Sequence, residues 1–294
     1  MKVRIGAGLG PAGSPDGFAA AVDLLEQAGV DSLWLPEMVS GPLVEPFAGM
    51  AFALGRTSRL KMGTGIAVLP GRHPVLVAKQ LASLAGLAPR RVLPVFGLRP
   101  ARDAERAAFP VPPGRRAAVF DESLTLVRLL LQQDRVSFTG EFFTVTDASV
   151  GPRPARPLDL WLGGSAPGAL RRIGRLGDGW LASFLTPAEA GAGVRAIQQA
   201  AAGAGREIEL DHFGISLAVA TGGIPGELAA SARRRRPGTD PAELIATSWP
   251  HARQLIEQYV AAGLSKFVIR PAAPATPFPR FLTELREQLM PLQT

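Results

Sequence analysis

Residues 60–96 read LKMGTGIAVLPGRHPVLVAKQLASLAGLAPRRVLPVF. The first part, Leu60 to Leu69, is an apolar run of strand length, interrupted by Gly63 and Gly65. Pro74 then opens a helical stretch to Leu87; proline suits a first helical turn, where its missing N–H costs nothing. Val92 to Phe96 is a second strand. Both strands are nearly all apolar rather than alternating, the pattern of parallel strands covered on both faces. These 37 residues are therefore one strand–helix–strand unit.

The pattern extends in both directions. Upstream lie strands Val3 to Gly8 and Ser32 to Pro36. They are followed by a helix capped by Ser14 and ended by Gly29, and by a shorter helix at Glu45 to Leu54. Downstream, helix Arg115 to Gln132 leads to a small hairpin, Val136 to Phe138 with Phe142 to Val145. Strands Leu158 to Leu162, Trp180 to Ser183, Phe213 to Ala220 and Lys266 to Ile269 follow, with helices Gly168 to Leu176, Pro187 to Ala202, Pro250 to Ala262 and Phe278 to Leu289. Eight strands, each followed by a helix, are the count of a closed (β/α)8 TIM barrel. An open doubly wound sheet would carry GxGxxG after its first strand. Here Gly6, Gly8 and Gly10 alternate, the later glycine is missing, and Pro11 intervenes. We read one barrel over residues 1–294. The Gly-, Pro- and Arg-rich insertion Thr221 to Ser248, with the Arg233–Arg236 run in a loop, decorates its mouth.

Composition narrows the chemistry. The chain has no cysteine, which excludes disulfides, thiolate nucleophiles and Cys-ligated metals. The three histidines, His73, His212 and His251, are far apart in sequence, so no His-rich metal centre is expected. No segment has about 18 consecutive apolar residues and the start lacks a signal-like apolar stretch, so a cytoplasmic protein without a membrane span is expected. The net charge of +7 suits a solvated surface or an anionic ligand. Nucleic-acid binding would need aromatics interleaved with the basic residues, and Arg233–Arg236 has none.

In a barrel of this kind the site is built from the loops that follow the strands. Five places qualify. Glu37, after strand two, offers a carboxylate to a ligand's ring or polyol, or simply caps a helix. Gly63-Thr64-Gly65-Ile66 marks a bulge or a close approach to backbone. Gly97, after strand four, either admits a ligand to the backbone or makes a turn. Gly163-Gly164-Ser165 opens a helix, where free N–H groups suit a phosphate. His73 caps its helix or donates to a ligand. Trp34, Trp161 and Trp180 fall within strands and read as barrel wall or core.

Taken together, GVDSLWLPE (29–37), LKMGTGIAVLP (60–70), RHPVLVAKQLASLAGL (72–87), FDESLTLVRLL (120–130), GEFF (140–143) and LWLGGSAPGALRRIGRLGDGW (160–180) resemble the luciferase-like monooxygenase superfamily. Its F420-dependent oxidoreductase branch is the nearest in pattern. The resemblance implies an oxidoreductase using coenzyme F420 on a small-molecule substrate, and a homodimer. FMN is the alternative cofactor, and a cofactor-free binding barrel the alternative use of the fold. It further implies a non-prolyl cis peptide at Gly65-Ile66 and cofactor contacts at Glu37, Gly65, Ile66, Gly97, Gly163, Gly164 and Ser165. No catalytic acid or base is implied. The glucose-6-phosphate dehydrogenase branch has a histidine where Met38 stands and a carboxylate where this chain has Arg99 and Pro100.

Overall fold

The computed structural model describes residues 1–272 and 277–294. Its central sheet contains β1 (Arg4–Ala7), β2 (Ser32–Leu35), β3 (Lys61–Thr64), β4 (Ala67–Val68), β5 (Val92–Leu93), β6 (Val95–Gly97), β9 (Trp161–Gly163), β10 (Gly179–Ser183), β11 (Phe213–Val219) and β12 (Lys266–Pro271). A separate antiparallel hairpin pairs β7 (Val136–Thr139) with β8 (Thr144–Ala148). The helices are α1 (Pro15–Ala28), α2 (Pro46–Arg56), α3 (Pro74–Leu87), α4 (Arg116–Gln132), α5 (Pro167–Leu176), α6 (Pro187–Gly203), α7 (Gly226–Arg235), α8 (Pro241–Leu244), α9 (Trp249–Ala261) and α10 (Phe278–Gln288).

Every pair in the central sheet is parallel, and the sheet closes. The third and fourth strands are each broken in two. β3 pairs with β5, and β4 pairs with β6. Two halves joined at both levels make one strand-to-strand seam, so β3–β4 and β5–β6 complete a ring of eight. The first break falls at Gly65-Ile66, whose peptide bond is cis. The second falls at Pro94, which has no N–H to give the ladder. Its carbonyl still accepts from Trp161 N at 3.0 Å.

Proline and capping residues place the helix starts. Proline stands in the first turn of α1, α2, α3, α5, α6, α8, α9 and α10. Thr186 and Glu189 form a reciprocal capping box on α6. Ser14 holds the cap position of α1 without a side-chain hydrogen bond, and Gly29 ends that helix in the left-handed region at φ 72°. α1 buries Phe18, Ala21, Val22 and Leu25, which recur at helical spacing. No helix among the described residues is long and apolar enough to cross a membrane.

Residues 221–248 depart from expectation. They hold two helices, α7 and α8, where a loop was expected, and Arg233–Arg235 form the last turn of α7. The cause is local: Glu227 to Ala232 is a run of good helix formers, and cations at a C-terminal turn complement the helix dipole. Ala229 and Ala232 supply its buried side.

Inside the barrel, Trp34, Val95, Trp161, Leu181 and Val268 pack with Ile66 and Leu93. The indoles fit because their neighbours are glycines. A Cβ on Gly63 would lie 2.5 Å from Trp34 Cε3, and one on Gly179 would overlap the Trp161 ring. Gly179→Ala is therefore expected to destabilise by about 1–3 kcal/mol through overpacking. A urea titration measures this; an unchanged midpoint would mean that Trp161 has room to move.

Candidate functional site

Alternation along each strand defines what faces the mouth. Trp34, Val95, Trp161, Leu181 and Val268 point inward and form the floor. One pleat further toward the C-terminal ends come Pro36, Gly97, Gly163, Ser183 and Arg270, with Gly8 just past β1 and Ala218 on β11. Nearly all are small, so few side chains rise above the hydrophobic floor and the ring of residues forms a side-chain-poor cup. Such a cup is the shape this fold uses for ligands.

Three of the expected site residues meet in that cup. The Ile66 side chain lies over both Gly97 and Gly163. A Cβ on Gly97 would fall within Ile66 Cδ1, and one on Gly163 would come 3.1 Å from Ile66 Cγ2. Gly97 thus makes room first for Ile66, and only through it for anything lying above. Gly65 is adjacent in the same break, with Trp34 Cβ 3.5 Å from its would-be Cβ.

Glu37 is buried, and its oxygens are engaged within the protein. Oε2 accepts from Val68 N at 2.6 Å, and Oε1 pairs with Arg72. Arg72 also donates to Val68 O at 3.1 Å. Its guanidinium lies between the rings of Phe47 and Phe109, at 5.4 and 5.7 Å. Burial pushes the Glu37 carboxyl up, while the Val68 N–H and Arg72 hold it back. The pair ties the end of β2 to β4, immediately beside Ile66, whose carbonyl accepts from Glu37 N at 3.3 Å.

The turn after β9 lies beside the cup. Gly164 adopts φ 115°, a region L side chains rarely occupy. Its carbonyl accepts from Trp180 Nε1 at 2.8 Å, which anchors the turn on β10. α5 starts at Ala166 with no side-chain cap. Ser165 and Ala166 are exposed, and the first turn of α5, where Pro167 has no N–H and Ala169 N donates to Ala166 O at 2.8 Å, adds the Gly168 N–H. From Ser165 a groove of about 650 Å³ runs along the α5–α6 seam, past Arg171 to Arg236, which pairs with Glu189.

His73 stands at the cap position of α3 without capping it, and its ring meets the edge of Phe143 at 5.6 Å. Trp34, Trp161 and Trp180 are all buried. Met38 is half-buried and Arg99 is exposed.

Sequence reading passed over three residues of consequence. Arg72 was overshadowed by its neighbour His73. Trp180 was read only as wall. Arg270 was missed although the alternation of Lys266–Pro271 shows it: Val268 faces in, so Arg270 does too. Burial, and then the neighbouring Arg235, pull its guanidinium down to about 10.

Comparison with known proteins places this architecture. The F420-dependent glucose-6-phosphate dehydrogenase of Beutenbergia cavernae is 33% identical over 178 residues, 57% of this chain and 52% of that protein. The F420-dependent hydroxymycolic acid dehydrogenase of Mycobacterium tuberculosis is 31% identical over 177 residues, 57% of this chain and 49% of that protein. The chain thus spans about half the length of the curated relatives it matches. A solved F420-dependent secondary alcohol dehydrogenase, in complex with an F420-acetone adduct, superposes over 100% of both chains. Its TM-score is 0.81 at 19% identity, a likeness of fold. The family model for luciferase-like monooxygenases matches residues 1–274, and the chain belongs to that family.

Proposed function

We propose that the protein is an F420-dependent oxidoreductase that transfers a hydride between the deazaflavin and a small organic substrate. The observation that carries this reading is the side-chain-poor cup at Ile66, Gly97 and Gly163, which opens beside the uncapped start of α5. A flat ring system needs the first, and a phosphate-bearing tail suits the second. Two relatives above 30% identity carry F420 dependence in their names.

The residues divide the work as follows. Ile66, beside Gly65, backs the ring; Gly97 and Gly163 leave its edge free of side chains. Glu37 acts through the Val68 N–H and Arg72, holding that backing in place. Gly164 shapes the turn, and Ser165 with the Gly168 N–H at the start of α5 takes the phosphate. Bound there, the deazaflavin supplies the hydride chemistry, and the protein supplies orientation and exclusion of water. Met38 has no titratable proton to give, so the acid of the glucose-6-phosphate dehydrogenase branch has no counterpart at that position.

Fluorescence titration with F420 and with FMN tests the assignment. F420 is expected to bind at least about tenfold more tightly than FMN, a difference of about 1.4 kcal/mol. Preferential binding of FMN would turn the reading to an FMN-dependent monooxygenase. Binding of neither would leave a cofactor-free barrel.

A further inference from the structure

The wall of the cup opposite the glycines carries a cation. Arg270 lies on β12, and Gly97 on β6. Three strand positions separate β12 from β6 in either direction round the ring, so the two residues face each other across the mouth. Arg270 projects inward over Gly8, whose would-be Cβ lies 3.1 Å from the Arg270 Cβ. Among the described residues no carboxylate pairs with it; the charged group that acts on it is another cation, Arg235.

Arg235 is held in place by the insertion. Ala232 of α7 and Leu244 and Ile245 at the end of α8 pack with Phe184, Ala218 and Ala220 in a small cluster at the ends of β10 and β11. Ala246 bridges to the end of β11: its N–H donates to Ala218 O at 2.9 Å, and its carbonyl accepts from Ala220 N at 2.8 Å. Seated there, Arg235 stacks on the Phe184 ring at 4.8 Å. The Phe184 backbone has φ 53°. Glu189 pairs with Arg236 instead.

Arg270, half-buried on β12, and Arg235, exposed at the end of α7, repel each other, and burial adds to the cost at Arg270. An anion between them reverses both effects, and guanidinium geometry matches a carboxylate or phosphate bidentately. Two strands, β10 and β11, lie between β12 and β9, the strand that leads into the uncapped α5 start, so the two places are separate on the ring.

We propose that Arg270, with Arg235 beside it, holds a carboxylate or phosphate group of the substrate across the mouth from the cofactor cup. The substrate is therefore an organic anion. The placement relative to the cofactor rests on the reading above; the anion site itself does not.

Inorganic phosphate is the probe. Calorimetric titration is done with cofactor-free protein and with protein preloaded with F420. Wild type is expected to bind phosphate in both forms. Arg270→Gln should weaken phosphate binding at least about tenfold and Arg235→Gln about threefold, with F420 affinity kept within about twofold in each. Arg270→Lys should retain part of the phosphate affinity. Equal loss of F420 and phosphate in Arg270→Gln would give the cation to the cofactor and overturn the proposal. So would phosphate binding that neither variant changes. If Arg270→Gln fails to fold in a thermal melt, Arg235→Gln, on a surface helix, decides alone. If wild type does not bind F420, the cofactor reading fails, while the phosphate titration still decides the arginine pair.

Discussion

Arg72→Ala is expected to lower the stability of the folded barrel by about 3–5 kcal/mol, the cost of leaving a buried charge without its partner. Glu37 has a side chain only 3% exposed, so it cannot turn to water when the guanidinium is removed. The loss of contact with Phe47 and Phe109 adds to the effect. The penalty depends on pH in a defined direction. Burial already raises the Glu37 carboxyl above the usual range, and without Arg72 it rises further. Between the ordinary value and the raised one, the folded state binds more protons than the unfolded state. Stability therefore falls as pH rises through that window, and the variant's deficit is largest above it. Denaturant titrations near pH 5 and pH 8 measure this. A deficit below about 1 kcal/mol at both pH values would show that the pair behaves as a surface ion pair. Arg72→Lys, which keeps a charge but loses the planar fork, should fall between wild type and alanine.

Gly97→Ala should reduce cofactor affinity at least about tenfold, or about 1.4 kcal/mol, with a smaller loss of stability. The methyl would occupy the space of Ile66 Cδ1 and drive that side chain toward the cup. Ile66→Val removes the colliding carbon. The double variant is therefore expected to recover most of the affinity, with a coupling of about 0.5–3 kcal/mol between the two sites. Strict additivity, with each change costing the same alone or together, would mean that Gly97 acts on the ligand directly and not through Ile66.

Much of this architecture is legible in the amino-acid order. Apolar runs alternating with amphipathic stretches carry the barrel, because parallel strands and their covering helices leave different periods. Pro94 marks the break in strand four for the reason any proline would. The gathering of Gly65, Ile66, Gly97 and Gly163 in one cup follows once the strands close. The roles within that group are not legible, because Gly97 and Ile66 are 31 residues apart in the chain and meet only through the closed ring. Glu37 shows the same limit: a carboxylate after a strand looks free in sequence, and only packing brings Arg72 to it. The Arg233–Arg235 run looked like a loop because charge without apolar periodicity is the usual mark of one. The small alanines that bury α7 are too weak a stripe to announce a helix.

The indole of Trp34 lies against both Gly6 and Gly63, where added Cβ atoms would lie 2.8 Å from Trp34 Nε1 and 2.5 Å from Trp34 Cε3. No one of these three positions can be altered freely while the others stay fixed. In lineages descended from a common ancestor, a smaller residue at 34 should accompany a larger one at 63, whereas position 6 is closed as well by Ser32, whose Oγ and carbonyl oxygen would lie 2.5 and 2.9 Å from an added Cβ. The barrel floor is thus one inherited character written at separate places in the chain.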